Sequence, residues 1–151
     1  MDEVTFSTHL CVNQQEMEAT KADVGVLLNA LGSNIIKNLA LAEFGRAIRI
    51  FIRDSEGRTV GGIVGDAYGT WAFISLLWVE ESLRNQGYGT ELLQRLEAEA
   101  LRLGCRNALV DTYSFEARPF YERWGYEVFA TLEDCPDDGH RKYFLRKRLT
   151  E

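Results

Sequence analysis

The sequence predicts a mixed α/β domain, and three observations carry that prediction. Trp71 to Val79 is a nearly continuous run of large apolar residues, which reads as a strand buried on both faces at the middle of a sheet. Glu91 to Leu103 is an amphipathic helix, with Leu92, Leu93, Leu96, Ala100 and Leu103 on one stripe and Glu91, Arg95, Glu99 and Arg102 mostly outside it. Asn107 to Asp111 reads as another strand. Strand, helix and strand in that order form a right-handed crossover between parallel neighbours.

The remaining elements follow in chain order. Residues 14–42 carry apolar positions near helical spacing, from Met17 through Val24, Leu27, Leu28, Leu31, Ile35 and Ile36 to Leu39. Gly25 and Gly32 interrupt them, which predicts two helices or one broken helix. Residues 47–53 read as a strand, Asp54 to Gly57 supply turn chemistry, and Thr59 to Val64 resume an extended, β-branched run. Gly104 is placed to end the amphipathic helix in a left-handed cap. A short helix closes at Gly125, and Pro119 requires it to start near Glu116 or Ala117. Strands at Glu127 to Leu132 and Arg141 to Leu149 complete the pattern around an acidic loop, giving antiparallel hairpins on each side of a parallel centre.

Size and composition bound the function. A chain of 151 residues fits one domain, able to bury roughly 70% of its unfolded surface. The start, Met1 to Thr5, is acidic and polar, and no apolar run is long enough for a membrane span, so a leader and a membrane role are not expected. Cys11, Cys105 and Cys135 are odd in number and widely spaced, which fits a reducing cytoplasm better than a disulfide framework. His9 and His140 show no paired-ligand spacing, so no metal is expected. A net charge of −6 disfavours nucleic acid and is compatible with a cationic partner.

The segment Arg84-Asn85-Gln86-Gly87-Tyr88-Gly89-Thr90 joins the apolar strand to the amphipathic helix. Its alternate glycines let the backbone approach a ligand closely. The helix that follows begins with unbonded N–H groups and a partial positive charge, which suit a phosphate. Arg84 adds a full charge and Thr90 a hydroxyl. A dinucleotide fingerprint would need glycine or alanine where Leu92 stands, and a Walker A loop would need lysine where Thr90 stands. A plain structural turn is the remaining alternative.

Arg-x-x-Gly-x-Gly in this position resembles motif A of the GNAT superfamily of N-acetyltransferases. A second segment, Ser114 to Tyr126, is similar to that family's Asn-x-x-Ala-x-x-Phe/Leu-Tyr-x-x-x-Gly-Phe/Tyr pattern, with Ser114 in place of the commoner asparagine. The likeness spans roughly residues 47–149 and is loose over the first 45, which commonly shape the acceptor side. It implies a single domain over residues 1–151, with a mixed sheet of about six to seven strands and about four helices. It also implies acetyl-CoA as co-substrate, with the amides of Gln86 to Thr90 on the pyrophosphate. The backbone of Leu77 to Val79, including Trp78, would hold the pantetheine arm, with Ser114, Ala117 and Phe120 beside it.

By the same resemblance Tyr121 is the general acid that protonates the departing thiolate, a task a phenol of pKa about 10 can perform. Helical spacing with Ala117, Phe120 and Trp124 would equally put Tyr121 in the core. A backbone N–H near Leu77 to Val79 would stabilise the tetrahedral oxyanion. Asp111, at the end of its strand, is the first candidate base, directly or through water; Asp66, Glu80 and His140 are weaker ones. The acidic loop Glu133 to Asp138 would draw a cationic amine, and Tyr68, Trp71 and Trp78 would line its pocket or pack in the core. The acceptor is expected to be a small-molecule amine, and the assembly a homodimer. The alternatives are an acetyltransferase of protein N-termini or lysines, and a non-catalytic acyl-CoA-binding or oligomer-forming module.

Overall fold

The computed structural model describes residues 7, 13–39 and 45–150, and the chain divides into two units, residues 1–44 and 45–151. The expectations for Met1 to Thr5, His9, Cys11 and residues 40–42 lie outside the described residues. In the first unit, α1 spans Gln14–Ala19 and α2 spans Lys21–Leu39. Asn13 starts α1 with a capping box: its side chain accepts from the Glu16 amide at 2.9 Å, and the Glu16 carboxylate accepts from the Asn13 amide at 3.2 Å. The expected breaks at Gly25 and Gly32 do not occur, because both lie inside α2. An interior glycine costs only about 1 kcal/mol, which a 19-residue helix absorbs. The break falls at Thr20, whose hydroxyl donates back to the Met17 carbonyl.

The second unit holds β1 (Arg46–Arg53), β2 (Thr59–Tyr68), β3 (Trp71–Val79), α3 (Tyr88–Arg102), β4 (Asn107–Tyr113), α4 (Arg118–Arg123), β5 (Glu127–Glu133) and β6 (Arg141–Arg148). One six-stranded sheet runs in the order β1-β2-β3-β4-β6-β5. Only β3 and β4 pair in parallel; the other neighbours are antiparallel. The β1–β2 turn uses the expected chemistry, since the Asp54 carboxylate accepts from the amides of Glu56 and Arg58, both at 2.9 Å. No helix among the described residues is long and apolar enough to cross a membrane.

Leu92, Leu93, Leu96 and Ala100 of α3 are buried on Ile63, Ala67, Ala72, Ile74, Ala108 and Leu145 of the sheet, the stripe the sequence marks. The helix starts at Tyr88, three residues before the predicted Glu91, and ends beside Gly104 in the left-handed region. Burial of β3 on both faces does not hold. Ala72 and Ile74 join the core, but Phe73, Leu76 and Trp78 are exposed by 38%, 65% and 53%. Successive strand residues point to opposite faces, and α3 covers only one of them. An unbroken apolar run therefore does not by itself require a cover on both sides.

Candidate active site

Parallel pairing of β3 with β4 begins at Trp71 opposite Asn107 and stops at Ile74 opposite Val110. The next residue, Ser75, is an extra one in the β2–β3 register: Gly65 faces Ile74 while Val64 faces Leu76. Its hydroxyl donates to the Val64 carbonyl at 3.1 Å, fixing the bulge. A bulge bends its strand, and β3 leaves β4 at this point. Between the parted ends lies a slot of about 540 Å³, lined by residues 74–79 of β3, Arg84, residues 110–112 of β4, Phe115 to Ala117 and Tyr121.

At the end of β3 the chain turns through a short 3-10 segment, Glu81–Leu83, into the loop before α3. The Arg84 side chain donates through Nε to the Val79 carbonyl at 2.9 Å, and Gln86 donates to the Ser82 carbonyl at 2.9 Å. Asn85 and Gly87 both have positive φ, 60° and 90°. The first helical bond runs from the Glu91 amide to the Gly87 carbonyl at 3.0 Å. Among the described residues no acceptor takes the backbone amides of Asn85 to Thr90. A row of unfilled donors at a helix N-terminus is a seat for an anion. A Cβ at Gly87 would meet nothing within 4 Å, but its φ of 90° is one that side-chain-bearing residues rarely adopt. Gly89 lies against the other wall, where a Cβ would stand 3.6 Å from the Phe120 ring.

Tyr121 comes from α4 and is 4% exposed, with its ring edge-on to Phe120 and Tyr126 at 5.2 and 5.6 Å. Burial, then the nearby carboxylates of Glu116 and Asp111, push its phenol up to about 12 from an ordinary 10. Such a group stays protonated at neutral pH and can serve as a proton donor. Tyr121 packs in the core cluster and also borders the slot. Below it, the Tyr126 hydroxyl donates to Glu97 at 3.0 Å, and Lys147 binds the same carboxylate at 2.7 Å.

The other expected site residues divide. Leu77, Trp78, Val79, Arg84, Asp111 and Ala117 line the slot with Tyr121. Gly87 and Thr90 border a shallower hollow along α3, and Tyr88 faces one beside Ile50 to Ile52 of β1. Ser114 is outside the slot: its hydroxyl accepts from the Arg141 amide and its own amide donates to the Arg141 carbonyl, at 3.1 and 2.8 Å. Asp111 is ion-paired to Lys142 at 2.7 Å, and that bond holds the lysine ammonium above its usual pKa. Asp66 and Glu80 do not line the slot. His140 stands edge-on to Phe115 at 5.2 Å. In the acidic loop Glu133 binds Arg141, and Asp134 accepts from the Gly139 amide, so those carboxylates are engaged locally. Trp71 borders a hollow at the other end of the sheet, and Tyr68 packs edge-on to Phe73 at 5.7 Å.

Seven slot residues, Ile74, Ser75, Leu76, Val110, Thr112, Phe115 and Glu116, have no site role in the sequence reading. One signal was available for Thr112. It follows Ala108 and Val110 at strand alternation on a buried face, a polar side chain where an apolar one is expected.

The family model for the acetyltransferase (GNAT) family matches residues 29–126. The chain is 38% identical over 95 residues to blasticidin-S acetyltransferase of Streptomyces morookaense, covering 62% of this chain and 69% of that protein. A crystal structure of an acetyltransferase from Bacillus cereus ATCC 14579 superposes with a TM-score of 0.67 at 31% identity, covering 94% of this chain and 97% of that one. An aminoglycoside 6'-N-acetyltransferase crystallised with coenzyme A superposes with a TM-score of 0.64 over 70% of this chain and 74% of that one. At 21% identity it speaks to the fold alone. Fold and relatives together define an acyltransferase. The chain belongs to the acetyltransferase (GNAT) family.

Proposed function

We propose that the protein transfers the acetyl group of acetyl-CoA to the amine of a small molecule by direct attack. The observation that carries this reading is the slot between the parted ends of β3 and β4, with Arg84 and a protonated phenol in its lining and a row of unfilled amides in the loop that follows Arg84. The amides of Asn85 to Thr90 would bind the pyrophosphate, and the free edge of β3 at Leu77 to Val79 would bind the pantetheine amides. Bound acetyl-CoA supplies an activated acyl group. A backbone amide of that edge would stabilise the tetrahedral oxyanion. Tyr121 would give its proton to the sulfur as the C–S bond breaks. Asp111, held by Lys142, would receive the proton that the attacking nitrogen loses, directly or through water.

A small cationic acceptor fits the lining. Trp78 and Phe115, both exposed aromatic residues, and Asp111 line the slot. Blasticidin-S acetyltransferase, a relative at 38% identity, supports an acceptor of that size. The reading carries a cytoplasmic enzyme, in keeping with the unpaired thiols of Cys105 and Cys135, and a homodimer, which sedimentation equilibrium checks.

The test is thiol release from acetyl-CoA across a panel of amines that includes blasticidin S, aminoglycosides, polyamines and peptide N-termini. Turnover with a small-molecule amine is expected. Turnover with peptides alone would move the acceptor to proteins, and binding of acetyl-CoA without any thiol release would leave a sensor in place of an enzyme.

A further inference from the structure

Thr112 is buried, 3% exposed, on a face otherwise made of Ala108 and Val110. Its hydroxyl is used twice. It donates to Glu116 Oε2 at 3.1 Å and accepts from the Ala117 amide at 3.3 Å. The same Glu116 oxygen accepts from the Tyr113 amide at 3.0 Å, and the Glu116 amide donates to the Tyr113 carbonyl at 3.0 Å. These bonds close the turn between the end of β4 and the start of α4.

The helix needs such a clip. At six residues α4 is too short to persist by its own propensity, and its N-cap, Ala117, offers no side-chain bond. Ala117 also connects the clip to the site, because its carbonyl accepts from the Tyr121 amide at 3.2 Å. A hydrogen-bonded path of three residues thus runs from Thr112 through Ala117 to Tyr121.

We infer that Thr112 and Glu116 are positioning residues, fixing the first turn of α4 on the end of β4 so that the Tyr121 hydroxyl is held at the slot. The inference rests on the reading of Tyr121 as the proton donor. Glu116 adds an electrostatic part, since its carboxylate helps keep the phenol protonated. A geometric error of about 1 Å at a reacting group can lower turnover about a hundredfold, so a small shift of α4 would be visible in kcat.

The experiment is a double-mutant cycle between Thr112→Val and Tyr121→Phe, with kcat and the KM for acetyl-CoA measured separately. Valine keeps the shape and removes the hydroxyl. Thr112→Val is expected to lower kcat about tenfold or more, with the KM for acetyl-CoA within about twofold of the parent. In the Tyr121→Phe background the same substitution should have almost no effect, because no phenol is left to misplace. Thr112→Ser, which restores the hydroxyl, should recover most of kcat. Should Thr112→Val fail to fold, Glu116→Ala, at an exposed position, takes its place in the cycle.

Equal kcat losses from Thr112→Val in both backgrounds would mean general structural damage and would overturn the inference. So would an unchanged kcat in Thr112→Val when Tyr121→Phe is impaired, leaving the role of Tyr121 intact. Full activity in Tyr121→Phe would remove the proton-donor reading and this inference with it.

Discussion

The two walls of the slot are made of different material. On the β3–α3 side the proposed binding groups belong to the main chain: the free strand edge after the Ser75 bulge and, in the loop beyond Arg84, the unfilled amides of Asn85 to Thr90. On the β4–α4 side they belong to side chains, namely Asp111, Thr112, Glu116 and Tyr121. Main-chain donors can bind a ligand through almost any sequence that keeps the turn. Proton transfer needs a particular atom of a particular acidity. Under the proposed function binding falls to the first side and chemistry to the second, and substitutions on the two sides should separate into effects on affinity and effects on turnover.

Tyr121→Phe should give the largest effect. Loss of a positioned acid typically lowers turnover about 10²–10⁴-fold, and acetyl-CoA affinity by calorimetry should remain near the parent value. A parallel fall in affinity would mean that the ring matters mainly for packing against Phe120 and Tyr126. Gly87→Val should do the reverse. It forces a β-branched residue to φ 90° in the loop that holds the unfilled amides and so disturbs their arrangement, and acetyl-CoA binding should weaken by about tenfold or more. Unaltered affinity in a folded Gly87→Val protein would take the loop out of the site.

Asp111→Asn tests the side-chain wall at a smaller scale. It removes the proposed proton acceptor and leaves the Lys142 ammonium without its ion partner, so kcat should fall about tenfold at neutral pH and recover in part as pH rises and the free amine fraction grows. A pH-independent loss would point to a structural role for the pair.

The smallest effect concerns stability. Because Tyr121 ionises near 12 when folded and near 10 when free, the unfolded chain loses its proton first as pH rises. Its contribution is therefore complete below about pH 10 and is lost as pH climbs toward 12. Tyr126 is raised in the same sense, chiefly by burial and then by Glu97. The urea midpoint should be flat from about pH 7 to 9 and fall above 10, less steeply in Tyr121→Phe. An unchanged slope in that variant would place the titration elsewhere.

Much of the fold was legible in the sequence because periodicity and turn chemistry are local. The α3 stripe, the Asp54 turn, the Gly104 terminus and the parallel centre between antiparallel hairpins all follow from residue patterns, whereas the insertion of β6 between β4 and β5 does not. The break at Thr20 was hidden because it depends on one hydroxyl bonding back to Met17, while Gly25 and Gly32 look more disruptive than they are. The exposed face of β3 was hidden because hydrophobicity does not say which face is covered. At the site, the loop could be read from its glycines, yet its partner groups could not. The pairing of Asp111 with Lys142 and of Thr112 with Glu116 and Ala117 joins residues by tertiary geometry or by irregular turns. Ser114 shows the converse, a motif position whose hydroxyl the fold spends on β6.

The most direct test of the central claim is a titration of isotopically labelled protein with coenzyme A, followed through backbone amide resonances. The account predicts saturable shifts concentrated at Gln86, Gly87, Tyr88, Gly89 and Thr90, with a second set along Leu77 to Val79. Unmoved loop amides, with shifts clustered instead around Trp71 and Arg146 at the other end of the sheet, would contradict it.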